Sequence, residues 1–376
     1  MRQLTIKSII LLVTFYLFPA LQAQTIDPYL PDASTPPVIA GKNLVWNDEF
    51  NVDGKPSTAN WKPEIGFVRN NELQYYQLAN VNCVGGVCLF TAKRDTVANV
   101  KYVRGSTDWR YKDSLAYWTS ASLITQGLKT FQYGRIDVRA RIDTTYGVWP
   151  AIWQKGIRGS WPACGEVDIL EFYNKKIYAN AIYGAVGTPN YTKCVSKSFT
   201  SITGTDSNWA KKFHLWTETW NADTIKIYLD GVLMNSVLVS SIANPSGTTP
   251  ANGFKQPHFF LLNLAVGSNG GTPRAKTSGY KYEVDYIRVY QDAATAIENV
   301  SAENIELYPN PVSNVLNFSS PHKIKKLTIF NLMGAQVVAQ YNPEKQVSVS
   351  DLSSGIYSVW LTMNDGTSLL KKMIKN

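Results

Sequence analysis

The chain of 376 residues lacks the patterns that mark several large classes of protein. After residue 23, no apolar run approaches the roughly 18 residues of a membrane-spanning helix. Apolar residues rarely recur at helical spacing, and there is no low-complexity tract or solenoid repeat. No run of Lys and Arg with interleaved aromatics resembles a nucleic-acid-binding surface. These absences predict a soluble mature protein with little helix and no nucleic-acid partner.

Charge and aromatic content leave the function open. The formal net charge of +9 supports an anionic partner only weakly, because a basic surface also favours solubility. The 11 Trp and 21 Tyr residues can fill a β-rich core or form flat surfaces for sugar rings, and core packing is the commoner use.

Residues 1–23 have the three parts of a secretory signal peptide. Arg2 and Lys7 form the positive start, residues 9–18 the apolar run, and Ala23 a small residue at the cleavage site. The run is too short to span a membrane, although an uncleaved anchor is an alternative. We therefore expect export.

The four cysteines of an exported chain suggest disulfides. Cys83 and Cys88 flank a Gly-Gly turn, so they could bridge two paired strands. Cys164 and Cys194 would then pair by elimination. Four free thiols are the alternative.

Alternation of apolar and polar residues predicts strands over most of residues 42–291. In Arg135–Ile142 every second residue is apolar, as in a strand with one buried face. Thr224–Leu229, followed by Asp-Gly, predicts a strand that enters a hairpin turn. Glu283–Tyr290 predicts a closing strand. Many short strands with Gly and Asn turns indicate an all-β sandwich.

Composition marks the remaining segments. Residues 24–41 are a proline-rich leader, which we expect to be extended. Residues 292–299 form a small polar linker, and residues 300–376 have their own strand pattern. The last segment therefore predicts a small independent β-sandwich domain.

Three acidic residues, Glu166, Asp168 and Glu171, lie within six residues of an otherwise apolar strand. In a regular strand Glu171 would face away from the other two. A β-bulge near Ile169 and Leu170 would return Glu171 to their face. Crowded carboxylates raise one another's pKa, which suits acid–base chemistry. The alternatives are an edge strand with solvated acids or a cation site.

Two glutamates on one face can divide the roles of a retaining glycosidase. One attacks the anomeric carbon, and the other protonates the leaving oxygen and then activates water. Asp168, between them, could share a proton or a hydrogen bond with the nucleophile.

These acids belong to a wider pattern that resembles glycoside hydrolase family 16, in the laminarinase-like form with a bulged active-site strand. The motifs that carry the resemblance follow the family's order over residues 42–291: Leu44–Phe50, Asn70–Tyr76, Tyr133–Arg135, Val148–Trp153, Gly165–Glu171, Phe260–Gly267 and Val284–Tyr290. The resemblance implies a curved β-jelly-roll sandwich with an open substrate cleft. It further implies that Glu166 is the nucleophile, Asp168 its assistant and Glu171 the general acid/base.

The resemblance also implies residues that bind the substrate. They are Trp149, Trp153, Trp161, Asn71 and Arg69. Core packing is the alternative for Trp149 and Trp153, and turn or framework roles are the alternative for the two polar residues.

A structural calcium ion is a further implication, whereas the resemblance implies no cofactor for catalysis. Glu49 and Asp285 match positions associated with such a calcium ion in the family. Both could equally be structural hydrogen-bond partners.

One departure bears on the substrate. Laminarinase-like members usually carry a Gly-Thr-x-His element after the acidic strand, but the corresponding stretch here, residues 179–184, has no histidine. We expect a secreted, retaining and monomeric endo-hydrolase of β-1,3- or mixed β-1,3/1,4-glucan. The alternatives are a marine galactan hydrolase of the agarase, porphyranase or carrageenase kind and a noncatalytic glycan-binding protein.

The C-terminal segment resembles the type A sorting domain of type IX secretion. Its cues are Leu307–Val312, Asn331–Gly334 and Leu352–Trp360, followed by basic residues near the end. The resemblance implies the type IX secretion machinery as a partner, with the protein secreted or attached to the outer surface. A carbohydrate-binding module is the alternative.

Overall fold

Antiparallel strands make up most of the chain in a computed structural model. It describes residues 26–188, 190–274, 278–293, 305–320, 323–331, 335–364 and 368–376. The predicted signal peptide, most of the linker at 292–299 and the first residues of the C-terminal domain lie outside these ranges. Within them, no helix combines the length and hydrophobicity that crossing a membrane requires.

The larger unit contains seventeen strands in its described residues. They are β1 Lys42–Asp48, β2 Lys62–Pro63, β3 Gln74–Tyr76, β4 Val81–Val84, β5 Val87–Ala98, β6 Leu115–Ser120, β7 Ser122–Ile124, β8 Gly134–Ile142, β9 Val148–Gly156, β10 Glu166–Tyr173, β11 Lys176–Tyr183, β12 Tyr191–Ser198, β13 His214–Trp220, β14 Thr224–Leu229, β15 Val232–Leu238, β16 His258–Val266 and β17 Tyr280–Asp292. One short helix, α1 Phe199–Thr203, and four 3₁₀ turns, Leu78–Asn80, Trp209–Lys211, Val239–Ile242 and Ser268–Gly270, connect them.

These strands form two open sheets, as the all-β jelly-roll prediction requires. The ten-stranded sheet has the order β15-β14-β13-β8-β17-β5-β6-β3, with β1 beside β17 and β4 beside β5. The seven-stranded sheet has the order β12-β11-β10-β9-β16-β7-β2. The acidic strand β10 therefore lies within a sheet, with β9 and β11 on its two sides, and is not an edge strand.

The core lies between the two sheets, and the alternation read from the sequence assigns residues to it correctly. Ile136, Val138, Ala140 and Ile142 on β8 are all buried. Many of the aromatic side chains are buried with them, including Trp216 and others that leave almost no surface exposed: Trp61, Phe90, Phe254, Phe260, Tyr280 and Tyr282. Most of the aromatic content thus serves packing, as expected for large apolar side chains.

The proline-rich leader is bound to the ten-stranded sheet. The guanidinium of Arg139 donates to the carbonyl oxygens of Asp27 and Leu30 at 2.8 and 2.9 Å. The backbone N–H of Asp32 donates to the carboxylate of Asp285 at 3.0 Å. These contacts satisfy backbone groups and buried charges together, so residues 27–32 are part of the folded unit.

The C-terminal domain is a separate small sandwich, as predicted. Its described strands are β18 Glu306–Tyr308, β19 Val315–Ser319, β20 Ile324–Phe330, β21 Gln336–Tyr341, β22 Gln346–Ser348, β23 Gly355–Met363 and β24 Ser368–Lys375. They form sheets of order β18-β19-β22 and β21-β20-β23-β24. Leu316, Leu327, Ile329, Val359 and Leu361 are buried between them.

The four cysteines are free thiols in the structure, so the expected disulfides are not formed. Cys83 and Cys88 do oppose each other on β4 and β5. The Cys164–Cys194 pairing fails for a topological reason: Cys194 is on β12, Cys164 directly precedes β10, and β11 lies between these strands. Two strand spacings amount to about 9.5 Å, which is longer than a disulfide can span.

A buried polar pair joins the two sheets. The side-chain N–H₂ of Gln154 on β9 donates to both carboxyl oxygens of Glu218 on β13, at 3.0 and 2.9 Å. Glu218 is completely buried, and this burial raises its pKa to about 8. The folded protein therefore holds a proton that the unfolded chain releases above about pH 4.5. This bound proton stabilises the folded state. Its full contribution to the free energy of unfolding is present below about pH 4.5 and is lost as the pH rises through 8.

Glu218→Gln should reduce the loss of stability at alkaline pH, because the neutral amide has no proton to lose. Between pH 5 and pH 8.5, the variant's free energy of unfolding should fall less than the wild type's, by at least about 1 kcal/mol, the value of one pKa unit. Urea unfolding at both pH values measures this. Asp223→Asn, at an exposed carboxylate next to β14, should follow the wild type; equal losses in all three proteins would contradict the prediction.

Candidate active site

The β-bulge predicted in the acidic strand is present. On the β9 side, Asp168 pairs with Trp153 and Leu170 with Ile152, so Ile169 is the extra residue. Ile169 and Leu170 are both buried in the core. The strand thus turns two consecutive side chains inward, and Glu171 returns to the face of Glu166 and Asp168. All three acids line one cleft.

The cleft lies on the outer face of the seven-stranded sheet and has a volume of about 480 Å³. Alternate residues of neighbouring strands line it, because side chains on one sheet face recur every second position. Its lining residues are Arg69, Asn70, Glu72, Trp149, Ala151, Trp153, Lys155, Trp161, Glu166, Asp168, Glu171, Tyr173, Asn180, Ile182, Thr192, Cys194, Asn263 and Asn269.

A close backbone contact fixes the start of the acidic strand. Gly165 has a φ of 74°, and a Cβ there would lie 2.9 Å from the backbone of Gly253. A side chain at Gly165 would be strained by the φ angle and would collide with the backbone of Gly253. The chain therefore enters β10 at a defined position, with Glu166 as its first residue.

Two neighbours hold the carboxylate of Glu171. The indole N–H of Trp149 donates to Oε1 at 3.0 Å, and the side-chain N–H₂ of Asn180 donates to Oε2 at 2.9 Å. The same Asn180 nitrogen donates to Oδ2 of Asp168 at 2.9 Å. Asp168 is therefore linked through Asn180 to Glu171, whereas the sequence had suggested a link to the nucleophile Glu166.

The three carboxyl groups titrate as an interacting set. Burial and the charge of Asp168 raise the pKa of Glu166 to about 8, while Lys155, Arg69 and a hydrogen bond from Trp161 oppose the rise. Burial raises the pKa of Asp168 to about 6, against hydrogen bonds from its neighbours. Burial and both other acids raise the pKa of Glu171 well above its ordinary value. The set therefore holds on to protons at neutral pH, because burial and like charge act on both glutamates.

The tryptophans predicted to bind substrate all line the cleft, but in different ways. Trp161 is 48% exposed and offers a free indole surface. Trp149 and Trp153 are only 7% and 8% exposed. The N–H of Trp149 holds Glu171, and that of Trp153 donates to Asn263 at 2.7 Å. Trp161 is thus the one of the three best able to stack on a sugar ring.

Of the two polar residues, Arg69 lines the cleft and Asn71 does not. The structure has Asn70 at the cleft wall, where its side chain donates to Glu72 at 3.2 Å. Asn71 borders a second depression with Phe67 and Trp109. Both asparagines have positive φ angles, 58° and 50°, so the chain turns sharply there. Asn71 therefore lies outside the cleft lining, and Asn70 takes the place expected for it.

The carboxylates considered for calcium are engaged by arginines. Arg288 donates to Glu49 at 2.9 and 2.7 Å, and Arg139 pairs with Asp285 at 2.5 Å. Among the residues that the structure describes, no group of three or more acidic, Cys or His side chains could hold a metal ion. A fixed guanidinium beside each carboxylate repels a cation. The residues at Glu49 and Asp285 therefore do not fit a calcium ion.

The sequence motifs did not identify Asn180 and Lys155 as residues of the site. Asn180 falls in the segment that lacks the histidine, and Ile182 lines the cleft two residues later. The alternation along β11 could have assigned both to the cleft face. Lys155 lies two positions after Trp153 on β9 and faces the same way. An Asn and a Lys beside acids carry no distinctive motif, so only the register of the sheet identifies them.

Comparison with known proteins agrees with this geometry. The model for glycosyl hydrolases family 16 matches residues 90–288, which is more than half of the chain. The chain belongs to glycosyl hydrolases family 16. Residues 306–376 match the secretion system C-terminal sorting domain, which indicates secretion and surface attachment through the type IX system. Both resemblances found in the sequence are thereby confirmed.

Individual relatives of this family 16 chain differ in substrate. Glucan endo-1,3-β-glucosidase A1 of Niallia circulans is 30% identical over 281 residues, which cover 69% of this chain and 39% of that protein. Keratan-sulfate endo-1,4-β-galactosidase of Sphingobacterium multivorum is 29% identical, with 71% and 58% covered. The chain thus spans less than two thirds of either relative.

Among solved structures, the family 16 chain is similar to one reported with the endo-acting O-glycanases of human gut microbes that initiate mucin breakdown. The TM-score is 0.63 at 30% identity, covering 69% of this chain and 95% of that one.

Asn180→Ala should reduce turnover, because it removes the hydrogen bonds to Asp168 and Glu171. Bonds to charged groups contribute about 1.5–3 kcal/mol, so kcat should fall at least about tenfold. The acidic limb of the pH–rate profile should also move to lower pH, since Asp168 loses a donor that lowers its pKa, is protonated more readily and then repels the charge of Glu166 less. Steady-state hydrolysis between pH 4 and pH 9 measures both effects.

Asn43→Ala, at an exposed position on β1, is the matched control and should leave the profile unchanged. An Asn180→Ala variant with wild-type kcat and the same acidic limb would show that Asn180 does not hold the acids.

Proposed function

We propose that the chain is a retaining, endo-acting β-glycosidase that works by double displacement. One observation carries the proposal: the bulge in β10 turns Glu171 to the cleft face that holds Glu166, where Trp149 and Asn180 fix its carboxyl group. An open cleft with two such glutamates is what retaining hydrolysis requires. Relatives whose names describe endo-acting enzymes support the endo mode.

In the first step, a carboxylate oxygen of Glu166 attacks the anomeric carbon, and the bond from that carbon to the leaving oxygen breaks. Glu171 gives its proton to the leaving oxygen. The raised pKa of Glu171 suits this role, because a general acid must hold its proton until the leaving oxygen takes it. Lys155 and Arg69 favour the ionised form of Glu166, whereas burial and the charge of Asp168 oppose it.

In the second step, a water molecule attacks the anomeric carbon of the glycosyl-enzyme. Glu171, now a carboxylate, accepts a proton from this water, and the bond to Glu166 breaks. Two inversions at one carbon give retention of configuration. Asp168 and Asn180 keep Glu171 in position through both steps. The proposed chemistry uses only side chains and water.

Two substrate classes are candidates. A β-1,3- or mixed β-1,3/1,4-glucan is supported by the relative from Niallia circulans. A β-galactoside-containing glycan, the class to which the alternative of a galactan hydrolase belongs, is supported by the relative that acts on keratan sulfate and by the O-glycanase structure. One feature of the cleft weakens the first class, because Ile182 lines it in the segment where a histidine was expected. A noncatalytic glycan-binding role is disfavoured, since both glutamates are intact.

Reducing-sugar release from laminarin, lichenan, agarose, carrageenan, keratan sulfate and mucin O-glycans tests the proposal. Glu166→Gln should lower kcat on the best of these by about 10⁴-fold or more, the scale seen when a nucleophile is removed, while the thermal unfolding temperature changes little. Glu283→Gln, on the ten-stranded sheet, is the control and should retain activity. Turnover of none of the six glycans would refute the enzyme proposal, and an active Glu166→Gln variant would refute the assignment of the nucleophile.

We propose that the sorting domain is removed during export, when the type IX machinery acts on the C-terminal end of the chain. Protein recovered from the outside of the producing cell should then lack residues beyond about 299, because a separate domain with its own core can be cleaved off without disturbing the larger unit. Intact-mass spectrometry of the secreted protein measures this. Recovery of the full C-terminus from the external fraction would contradict it.

A further inference from the structure

Lys155 lies directly beside the proposed nucleophile. It pairs in register with Glu166 across β9 and β10 and lines the cleft, half-exposed. Its Nζ lies 5.6 Å from the ring centre of Trp153 and 5.7 Å from that of Phe259. In the described part of the chain, Lys155 forms no ion pair within 4 Å. The ammonium group therefore lies near both aromatic rings at the cleft wall, as in a cation–π contact.

Arg69 is a second cation at the same wall. Its Cζ lies 5.1 Å from the ring centre of Trp153. One terminal nitrogen, Nη2, pairs with Glu64. The other, Nη1, is buried and has no hydrogen-bond partner among the described residues. A buried guanidinium N–H group without a partner is costly, so the described residues leave part of the hydrogen-bonding capacity of Arg69 unused.

The acids near these cations do not neutralise them completely. Glu64 is paired with Arg69 and is not part of the cleft lining. Glu72 lines the cleft and its charge acts on Arg69, while its oxygens accept from Asn70, Gln74 and Tyr76. Glu166 is the carboxylate opposite Lys155, and it forms a covalent bond during turnover. Its negative charge then disappears while both cations remain.

The position of the pair along the cleft identifies the sugar that it would contact. Along β9, Lys155 opposes Glu166 and Ala151 opposes Glu171. A nucleophile contacts the glycone sugar, and the acid/base contacts the oxygen that leads to the aglycone. Lys155, which opposes Glu166, and Arg69, whose charge also acts on Glu166, are therefore assigned to the glycone side of the bond that is cleaved.

We propose that Arg69 and Lys155 form a glycone-side subsite for an anionic sugar substituent, a sulfate ester or a carboxylate. The planar guanidinium and the ammonium suit the oxygens of either group. The proposal rests on the proposed function insofar as Glu166 defines the glycone side. The subsite would give the protein a preference for acidic glycans over neutral glycans such as laminarin.

Binding separates this subsite from catalysis. In a Glu166→Gln background, affinity electrophoresis measures retardation by keratan sulfate, by chemically desulfated keratan and by hyaluronan as the carboxylated probe. Lys155→Met keeps an unbranched side chain of similar length but removes the charge. Lys155→Arg keeps the charge. Lys226→Met, on β14, removes a lysine remote from the cleft and is the control. Raising the salt concentration tests the electrostatic origin, because salt screens it.

Lys155→Met should lower the ratio of affinities for keratan sulfate and its desulfated form about tenfold, or about 1.4 kcal/mol. Lys155→Arg and Lys226→Met should keep the wild-type ratio. A preference for hyaluronan over keratan sulfate would identify a carboxylate as the substituent. An unchanged ratio in Lys155→Met, or equal binding of sulfated and desulfated keratan by the parent protein, would overturn the subsite.

Turnover distinguishes failure of the subsite from failure of the proposed function. If wild-type protein hydrolyses none of the glycans but the affinity ratio depends on Lys155, the subsite stands and the enzyme proposal fails. If Lys155→Met lowers kcat/KM equally on sulfated and desulfated keratan, Lys155 acts on Glu166 and the subsite proposal is wrong. An effect confined to the sulfated substrate supports both.

Discussion

The bulge in β10 is the constraint on which the active site depends. A regular strand would send Glu171 into the core, away from Glu166 and Asp168. With Ile169 as the extra residue, two apolar side chains turn inward in succession and Glu171 returns to the cleft. The core supports this irregularity, because Ile169 and Leu170 are both buried. Packing on one face of the sheet therefore fixes the chemistry on the other.

Three acids on one face would repel one another if nothing compensated their charges. The neighbouring strands provide the compensation at positions that the sheet register determines. β11 presents Asn180 to Asp168 and Glu171, and β9 presents Lys155 to Glu166. Burial and the two neighbouring acids favour a proton on Glu171, whereas the cations favour the ionised form of Glu166; the N–H donors hold Glu171 in place. This asymmetry separates the acid/base from the nucleophile.

Much of this could be predicted from the sequence, since it rests on local pattern. Apolar alternation identified β8, and the spacing of Glu166, Asp168 and Glu171 predicted the bulge. Contacts between distant segments could not be predicted in the same way. The sequence pointed to Asn71 and not to Asn70 as a cleft residue, because the two positive φ angles of their turn cannot be read from the sequence. Glu49 and Asp285 were considered for calcium from the family resemblance, and their arginine partners could not be identified because they are far away in sequence. Asn180 and Lys155 needed the register of three strands.

The central claim is that Glu166 bonds covalently to the sugar while Glu171 moves the proton. Incubation with an activated 2-deoxy-2-fluoro glycoside of the sugar that the chain cleaves tests it most directly, because the fluorine slows hydrolysis of the intermediate. Peptide mapping by mass spectrometry should find the fluorosugar on the peptide that contains residues 166–171, with fragmentation locating it on Glu166. A label on Glu171, or turnover of the glycoside without any covalent intermediate, would contradict this account.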